Sequence, residues 1–226
     1  MGRPLAVRWR AHELPELRAG ALATARVELE NAGDTPWRGG RFTVSYHWLD
    51  ELGNPIVWDG LRTPVEAEPG ATAVADVRIR APIPPGRYRL SVDVVDESRF
   101  WLGELGEPTL DFDVDVLERN GVPRAHLGGA IPAHDWDERV RAAHREGYAV
   151  VGGSVEARGR PASLSPYTPP GRVPNFAHPL VCPSVLEGIE VEWTEVAGLP
   201  AALAPEEPTL YDGRITVRLP SGRRRG

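Results

Sequence analysis

The residues best able to bind a ligand are aromatic and charged side chains in and after one short stretch, residues 44–63. An indole can cover the apolar C–H face of a sugar, while carboxylate and guanidinium groups hydrogen-bond to its hydroxyls. The sequence therefore suggests a candidate ligand-binding set, which consists of Trp48, Trp58, Asp59, Arg62, Trp101 and Glu104. The alternative is that the tryptophans fill a hydrophobic core and that Asp59 and Arg62 pair to fix a loop.

Two groups of closely spaced carboxylates could hold a cation. Asp111, Asp113 and Asp115 alternate along one segment, as ligands of a hard cation on one strand face would. We favour the alternative, a solvated strand face opposite apolar residues. Asp135 and Asp137 could hold a divalent metal on a sugar diphosphate. They begin a helical pattern, however, where acidic residues cap free N–H groups, and we favour that interpretation.

The remaining reactive residue types show no catalytic or metal-site spacing. The six histidines do not match a zinc motif, and Ser154 in G-G-S-V lacks the nucleophile-elbow pattern. Cys182 is the single cysteine and lies among apolar residues, which predicts a buried, unreactive thiol. We therefore expect a non-enzymatic protein with no cofactor and no metal.

The overall composition narrows the class of protein. The chain has 226 residues, of which 41% are hydrophobic and 26% charged, as in ordinary globular proteins. A net charge of -6 argues against a nucleic-acid partner, which would require a basic face. No run of apolar residues is long enough to span a membrane, and the N-terminus lacks a signal-peptide core. We therefore expect a cytoplasmic protein without a membrane span, and the sequence indicates no oligomeric state.

Alternation of apolar and polar residues with period 2 predicts short antiparallel strands in the first half. The alternating segments are 21–30, 41–48, 76–80, 87–94 and 110–116, and turns separate them. We expect an interior made of Val27, Leu29, Val44, Tyr46, Val77, Ile79, Tyr88, Leu90, Val92, Phe112 and Val114. Short strands at this spacing, with no long helical pattern among them, indicate an antiparallel β-sandwich.

The second half has a different pattern. A helix is expected from Asp135, its candidate cap, to Glu146, with Gly147 as its stop. The expected strands are 148–155, 189–196 and 215–219, and the proline-rich residues 158–183 are expected to be irregular. The predicted organisation is a β-sandwich at 1–117, a linker at 118–133 and a small, partly irregular α/β region at 134–226.

Turn and strand motifs of the first half carry a resemblance to a known family. They are N-x-G-x-x-x-W at 31–37, S-Y-H-W at 45–48, W-D-G-x-R-T at 58–63, E-P-G at 68–70 and P-P-G-x-Y-x-L at 84–90. Residues 15–117 thereby resemble the immunoglobulin-like domain of bacterial polysaccharide-biosynthesis proteins, a module that accompanies glycosyltransferases. The resemblance implies a mainly β protein with an immunoglobulin-like sandwich, and a glycan or a glycosyltransferase as its partner.

A shorter stretch, residues 138–156, resembles a helix–strand segment of family-2 glycosyltransferases. In this sequence it is not accompanied by a nucleotide-binding βαβ half or by a metal-binding Asp-x-Asp at a strand end. Three hypotheses stay open: a non-catalytic module for a glycan or a glycan-assembly partner in cell-surface polysaccharide synthesis, a protein-interaction or structural sandwich, and a glycosyltransferase-related enzyme fragment. Exposed tryptophans would favour the first and their full burial the second. A pocket lined by His134, Asp135 and Asp137 would favour the third.

Overall fold

The structure, a computed structural model, describes residues 3–157, 160–162, 180–196 and 198–220. Over these residues the protein is mainly β, with several sheets. The chain divides into two compact units. The N-terminal unit comprises Met1–Leu17 and Ala21–Leu117, and the C-terminal unit comprises Arg18–Gly20 and Glu118–Gly226. No helix in the described ranges is both long enough and apolar enough to cross a membrane.

The N-terminal unit is built from two antiparallel sheets. Its strands are β1 (Val7–Glu13), β2 (Leu22–Asn31), β3 (Phe42–Leu49), β4 (Pro55–Val57), β5 (Thr63–Pro64), β6 (Thr72–Arg80), β7 (Gly86–Asp96), β8 (Phe100–Trp101) and β9 (Leu110–Val116). One sheet has the order β1-β2-β6. The other has the order β4-β3-β7-β8, in which β5 also pairs with β3 and β9 with β7. A 3₁₀ turn, Leu102–Leu105, follows β8.

The apolar faces of the two sheets form the core of the N-terminal unit. Of the expected interior residues, all are buried except Tyr88 and Phe112, which are half-buried. The sheets are also joined by hydrogen bonds to the backbone of Arg80 in β6. Its N–H donates to Tyr46 Oη at 2.8 Å, and its carbonyl accepts from Trp48 Nε1 at 2.9 Å. The two sheets are therefore in direct contact through β3 and β6.

The face of the β3–β7 pair that points away from the second sheet, called the outer face below, is buried as well. Thr43, Ser45 and His47, which alternate with the apolar residues of β3, are all buried, as are Ser91 and Asp93 of β7. Alternation alone suggests that such a polar face is open to water. Here the loop after β4 and the segment from β8 into the 3₁₀ turn lie over it, and this covered face carries the candidate site.

The described residues of the C-terminal unit form one further sheet and a helix. Its elements are β10 (Pro123–Ala125), β11 (Ile131–Pro132), α1 (Trp136–Glu146), β12 (Val150–Ala157), β13 (Arg160–Ala162), β14 (Leu180–Leu186), β15 (Glu192–Val196), β16 (Leu199–Leu203) and β17 (Thr209–Arg218). The sheet order is β11-β17-β12-β14-β16-β15, with β10 beside β14 and β13 beside β12. The β12–β17 pair is parallel and the other pairs are antiparallel.

Two expectations for this half need correction. Residues 118–133, expected as a linker, contain β10 and β11, and both strands belong to the sheet. Strands of two or three residues are too short to show an alternating pattern in the sequence. They form here because they pair with β14 and β17, which are distant in the chain. Within the stretch 158–183, expected to be irregular, residues 160–162 form β13 and residues 180–183 belong to β14. Most of the proline-rich stretch 158–183 lies outside the described residues.

Helix α1 follows the predicted bounds but not the predicted cap. Gly147 ends it with a φ of 132°, a backbone conformation that favours glycine. Asp135 occupies the N-cap position without a side-chain capping bond. Its carboxylate instead accepts a hydrogen bond from Arg139 Nε at 2.6 Å. Cys182 is buried as predicted, and burial raises the pKa of its thiol to about 11, so the thiol is protonated at neutral pH.

Candidate functional site

Close backbone packing fixes the loop that follows β4 against β3. The Gly60 N–H donates to the Tyr46 carbonyl at 3.0 Å. A Cβ atom on Gly60 would lie 2.6 Å from that oxygen, so a larger residue would push the loop away. The W-D-G-x-R-T motif therefore places Trp58 and Arg62 on the outer face of the sheet.

Three aromatic rings, His47 stacked on Trp58 with Trp101 tilted against both, pack together on this face and are called the aromatic stack below. The His47 ring lies 4.0 Å from the ring centroid of Trp58 and 4.0 Å from that of Trp101. Its Nδ1–H donates to the Trp58 backbone carbonyl. Burial lowers the pKa of His47, so the ring is neutral at pH 7. Trp101 is only 8% exposed, whereas Trp58 is 51% exposed and offers part of its indole to solvent.

Arg62 holds the loop in place with every part of its guanidinium group. Nη1 donates to Ser45 Oγ at 2.8 Å and Nε donates to Glu97 Oε1 at 3.0 Å. Nη2 pairs with the exposed carboxylate of Asp59, and Cζ lies 4.9 Å from the centroid of the Trp101 ring. Arg62 and Asp59 therefore form the loop-fixing pair of the alternative interpretation.

A pocket of about 340 Å³ opens beside the aromatic stack. It is lined by His47, Leu49, Trp58, Ser91, Asp93, Trp101, Gly103, Glu104, Glu107 and Thr109. The β3–β7 register places His47 opposite Ser91, and β7 pairs with β8 so that Val95 is opposite Trp101. The pocket therefore combines aromatic surface with hydroxyl and carboxylate groups, a mixture that is common in small-molecule sites.

Asp93 is the most perturbed acid in the pocket. It is 1% exposed and accepts hydrogen bonds from the backbone N–H groups of Val94 at 2.7 Å and Gly103 at 2.9 Å. Burial raises its pKa to about 6, and the negative charges of Glu104 and Asp111 act in the same direction. A Cβ atom on Gly103 would lie 2.8 Å from Asp93 Oδ2, so a larger residue here would displace the Asp93 carboxylate or the turn.

The other polar side chains of the pocket already make some hydrogen bonds within the protein. Ser91 Oγ and Thr109 Oγ1 both donate to Asp111, at 2.7 and 2.9 Å. Glu107 accepts from Arg3 at 3.1 Å, while Glu104 is exposed and accepts from the Trp101 N–H at 3.3 Å. Carboxylate and hydroxyl oxygens have lone pairs beyond those used here, so they can still accept from a ligand.

The structure brings together only part of the set suggested by sequence. Trp58, Trp101 and Glu104 line the pocket, whereas Arg62, which lies against the Trp101 ring, and its partner Asp59 do not. Trp48 is 0% exposed in the core, so its ring is out of reach of a ligand and its assignment to the site is wrong. Five further polar or aromatic lining residues were not expected from the sequence, namely His47, Ser91, Asp93, Glu107 and Thr109. Alternation on β3 and β7 is the signal that could have found the first three.

The two other carboxylate groups suggested by the sequence are engaged within the protein, Asp111 with hydroxyl groups and the others with arginines. Asp113 pairs with Arg89 at 3.4 Å on an exposed strand face, as the favoured interpretation predicted. Asp137 pairs with Arg141 at 2.7 Å along α1. A pocket lined by His134 does not include Asp135 or Asp137. Within the described ranges, no three His, Cys, Asp or Glu residues cluster as metal ligands would.

Comparisons with known proteins add little to this geometry. No protein-family model matches the sequence, and no curated protein matches it either. Similar solved structures include a β-glucosidase from Listeria innocua in complex with glucose and the same enzyme in complex with isofagomine. In both cases the identity is 15% and the TM-score 0.32, over 50% of this chain and 16% of the enzyme chain. The match spans about a sixth of the enzyme, and at this TM-score it supports no conclusion about function.

Proposed function

We propose that the N-terminal unit is an immunoglobulin-like β-sandwich that recognises or positions a glycan or a glycan-assembly partner in cell-surface polysaccharide biosynthesis. The two contacting antiparallel sheets and the motifs of residues 15–117 support the sandwich. In this proposal the module is non-catalytic and works in the cytoplasm of a bacterium beside a glycosyltransferase. The observation that carries it is the half-exposed Trp58 at the edge of a polar pocket.

The aromatic stack makes Trp58 suited to binding. Its indole is held against the His47 ring at 4.0 Å, so little side-chain freedom remains to be lost when a sugar packs on it. Stacking of a sugar on an indole contributes on the order of 1 kcal/mol beyond area burial. Hydroxyls of the sugar would meet the acceptors of Asp93 and Glu104 at the pocket wall.

The affinity of a single site of this kind is expected to be weak. One exposed indole and a few polar contacts correspond to a dissociation constant of roughly 0.1–1 mM. Such a site becomes useful when it is repeated along a glycan or tethered to an enzyme, because the effective concentration is then high. This fits an accessory role beside a glycosyltransferase.

One observation favours a second candidate, a protein-interaction or structural sandwich without a small ligand. Trp48 is fully buried and Trp101 nearly so, which means that two of the three tryptophans serve packing. The two candidates differ in what Trp58 does, and a binding experiment separates them.

The test is a titration of the full chain with a panel of bacterial surface oligosaccharides, followed by tryptophan fluorescence and calorimetry. We expect binding that Trp58→Ala abolishes. The matched control is Trp193→Ala in the C-terminal unit. Trp193 in β15 is 48% exposed and packs on His126 of the same unit. No response to any glycan, together with a large loss of stability in Trp58→Ala, would favour the interaction scaffold.

The enzyme hypothesis has its own test. Sugar nucleotides are incubated with the protein and magnesium or manganese, and we expect no turnover. Hydrolysis or transfer that Asp135→Ala or Asp137→Ala abolishes would support the third hypothesis instead.

A further inference from the structure

Among the residues that the structure describes, Asp93 differs from the other buried carboxylates, Asp96 and Asp212, in having no basic partner. Asp96, three residues further along β7, is held by Arg41 through two bonds of 2.8 Å and by Arg99 at 3.0 Å. Asp212 in the C-terminal unit is likewise paired with Arg214 at 2.6 Å. Over the described part of the chain, no arginine or histidine pairs with Asp93.

The two hydrogen bonds to Asp93 do not replace a cation. Backbone N–H groups of Val94 and Gly103 occupy one site on each carboxylate oxygen, and an ionised carboxylate has about four acceptor sites. A buried carboxylate is normally paired with a positive charge, because desolvation otherwise disfavours its charged form. Asp93 lines the pocket, so the acceptor sites that remain on its carboxylate are available to a ligand there.

The surroundings of the pocket are negative and aromatic. Asp93, Glu104 and Glu107 all line it, and its one basic side chain, His47, is neutral at pH 7 because burial lowers its pKa. Arg3 pairs with Glu107 at 3.1 Å and offsets that charge, while Arg62 pairs with Asp59 and Glu97, and neither arginine lines the pocket. Among the described residues, Asp93 and Glu104 are therefore the lining acids without a basic partner. Indole rings such as Trp58 attract cations as well as apolar C–H groups. An anionic sugar would be repelled here, whereas a neutral sugar would leave Asp93 without a countercharge.

We propose that the sugar bound in this pocket carries a free amino group, whose ammonium pairs with the Asp93 carboxylate while Trp58 covers the sugar ring. This inference rests on the proposed glycan-binding function and names the class of glycan. Exposed Glu104 adds a second negative charge at the mouth of the pocket. No bond is made or broken, since the interaction is a charge-assisted hydrogen bond.

The experiment compares two probes with the same sugar backbone, one with free amines and one in which an acetyl group on each nitrogen removes the charge. One is a disaccharide of β-1,4-linked glucosamine, and the other is the same disaccharide with both amines acetylated. Each is titrated into the full chain at about pH 6.5, where most amines are protonated and much of Asp93 is ionised. We expect the aminated probe to bind about tenfold more tightly, which corresponds to one hydrogen bond to a charged group.

Substitutions locate the preference within the pocket. Asp93→Asn is expected to remove the preference for the aminated probe. Asp113→Asn is the matched control, because it removes the same charge from the exposed face of β9, where Asp113 pairs with Arg89 outside the pocket. If Asp93→Asn does not fold, Glu104→Gln at the exposed mouth serves instead and is expected to reduce the preference about threefold. A loss of preference in Asp113→Asn equal to that in Asp93→Asn would mean general attraction by the net charge and would overturn the assignment.

The outcomes separate this inference from the proposed function. Equal binding of the two probes, or tighter binding of the acetylated one, overturns the amino-sugar inference and leaves glycan binding intact. A carboxylated disaccharide that binds most tightly overturns it too. If neither probe and no member of the oligosaccharide panel binds, the proposed function fails and this inference fails with it.

Discussion

The two faces of the β3–β7 sheet are both buried, but by different means. On the inner face, Val44 and Val92 pack among apolar side chains of the second sheet. On the outer face, Ser45 and His47 are covered by a loop and a 3₁₀ turn, and hydrogen bonds and ring stacking hold the cover. Apolar packing is not directional, whereas the outer contacts require particular atoms at particular distances.

This difference explains where the candidate site lies. The inner face has no room for a ligand, because its side chains fill the space between two sheets. The outer face leaves a pocket next to Trp58, and its buried polar groups have acceptor sites to spare. A sheet covered by polar contacts can therefore combine rigidity with recognition.

The largest effect is expected on the inner face. Val92→Asp places a carboxylate among apolar side chains with no cation in reach, so we expect a loss of about 4 kcal/mol or more, enough to unfold the N-terminal unit. Thermal unfolding followed by circular dichroism measures the effect. Val74→Asp is the matched control, because Val74 in β6 is 50% exposed and should tolerate the charge. Equal stability of the two variants would contradict the assignment of the inner face.

On the outer face, Asp93 is expected to make stability depend on pH. Its folded pKa of about 6 lies above its ordinary value of 3.8, so the folded protein holds this proton more tightly than the unfolded chain does. The contribution of Asp93 to stability is therefore full below about pH 3.8 and is lost as the pH rises through 6. The titrating neighbours are Glu104, Asp111, His47 and Glu107.

We measure this effect as the difference in unfolding free energy between the wild type and Asp93→Asn, determined by urea unfolding from pH 4 to 7.5. As the pH rises over that range, the unfolding free energy of the wild type is expected to fall relative to that of Asp93→Asn by on the order of 1–3 kcal/mol. A difference that does not change with pH would show that Asp93 is paired or solvated.

A smaller loss of stability is expected when Arg62 no longer holds the loop after β4 on the outer face. Arg62→Met keeps an apolar stem near Trp101 but removes the bonds to Ser45 and Glu97, at an expected cost of about 2 kcal/mol. The control is Arg26→Met, since Arg26 and its partner Asp76 are both exposed and such pairs contribute little. Denaturant unfolding compares the two. If both substitutions cost the same, Arg62 is not an anchor.

The smallest effect on stability is expected at Trp58. Because half of its surface is exposed and it packs mainly on His47, Trp58→Ala should cost about 1 kcal/mol. Trp48→Ala, which empties a fully buried site bonded to Arg80, should cost several times more. Calorimetric unfolding of both variants tests the contrast. Similar losses would mean that Trp58 belongs to the core.

The sequence by itself determined what depends on local periodicity. Alternation identified the inner face of β2, β3, β6 and β7, because side chains of a strand point to opposite sides and one side must avoid water. Gly147 marked the end of α1 because few residues other than glycine adopt its backbone angle. The W-D-G-x-R-T motif indicated the residues of the loop that carries Trp58.

Only the tertiary structure decided which residues meet across the chain. Nothing local in the sequence places Gly103 over Asp93 or Arg62 against Ser45, since these contacts depend on how the loops return to the sheet. The same holds for Trp48 and Trp58, which are residues of the same type within one short stretch. One fills the core and the other reaches solvent, because strand β3 directs the first inward and the loop after β4 holds the second on the outer face.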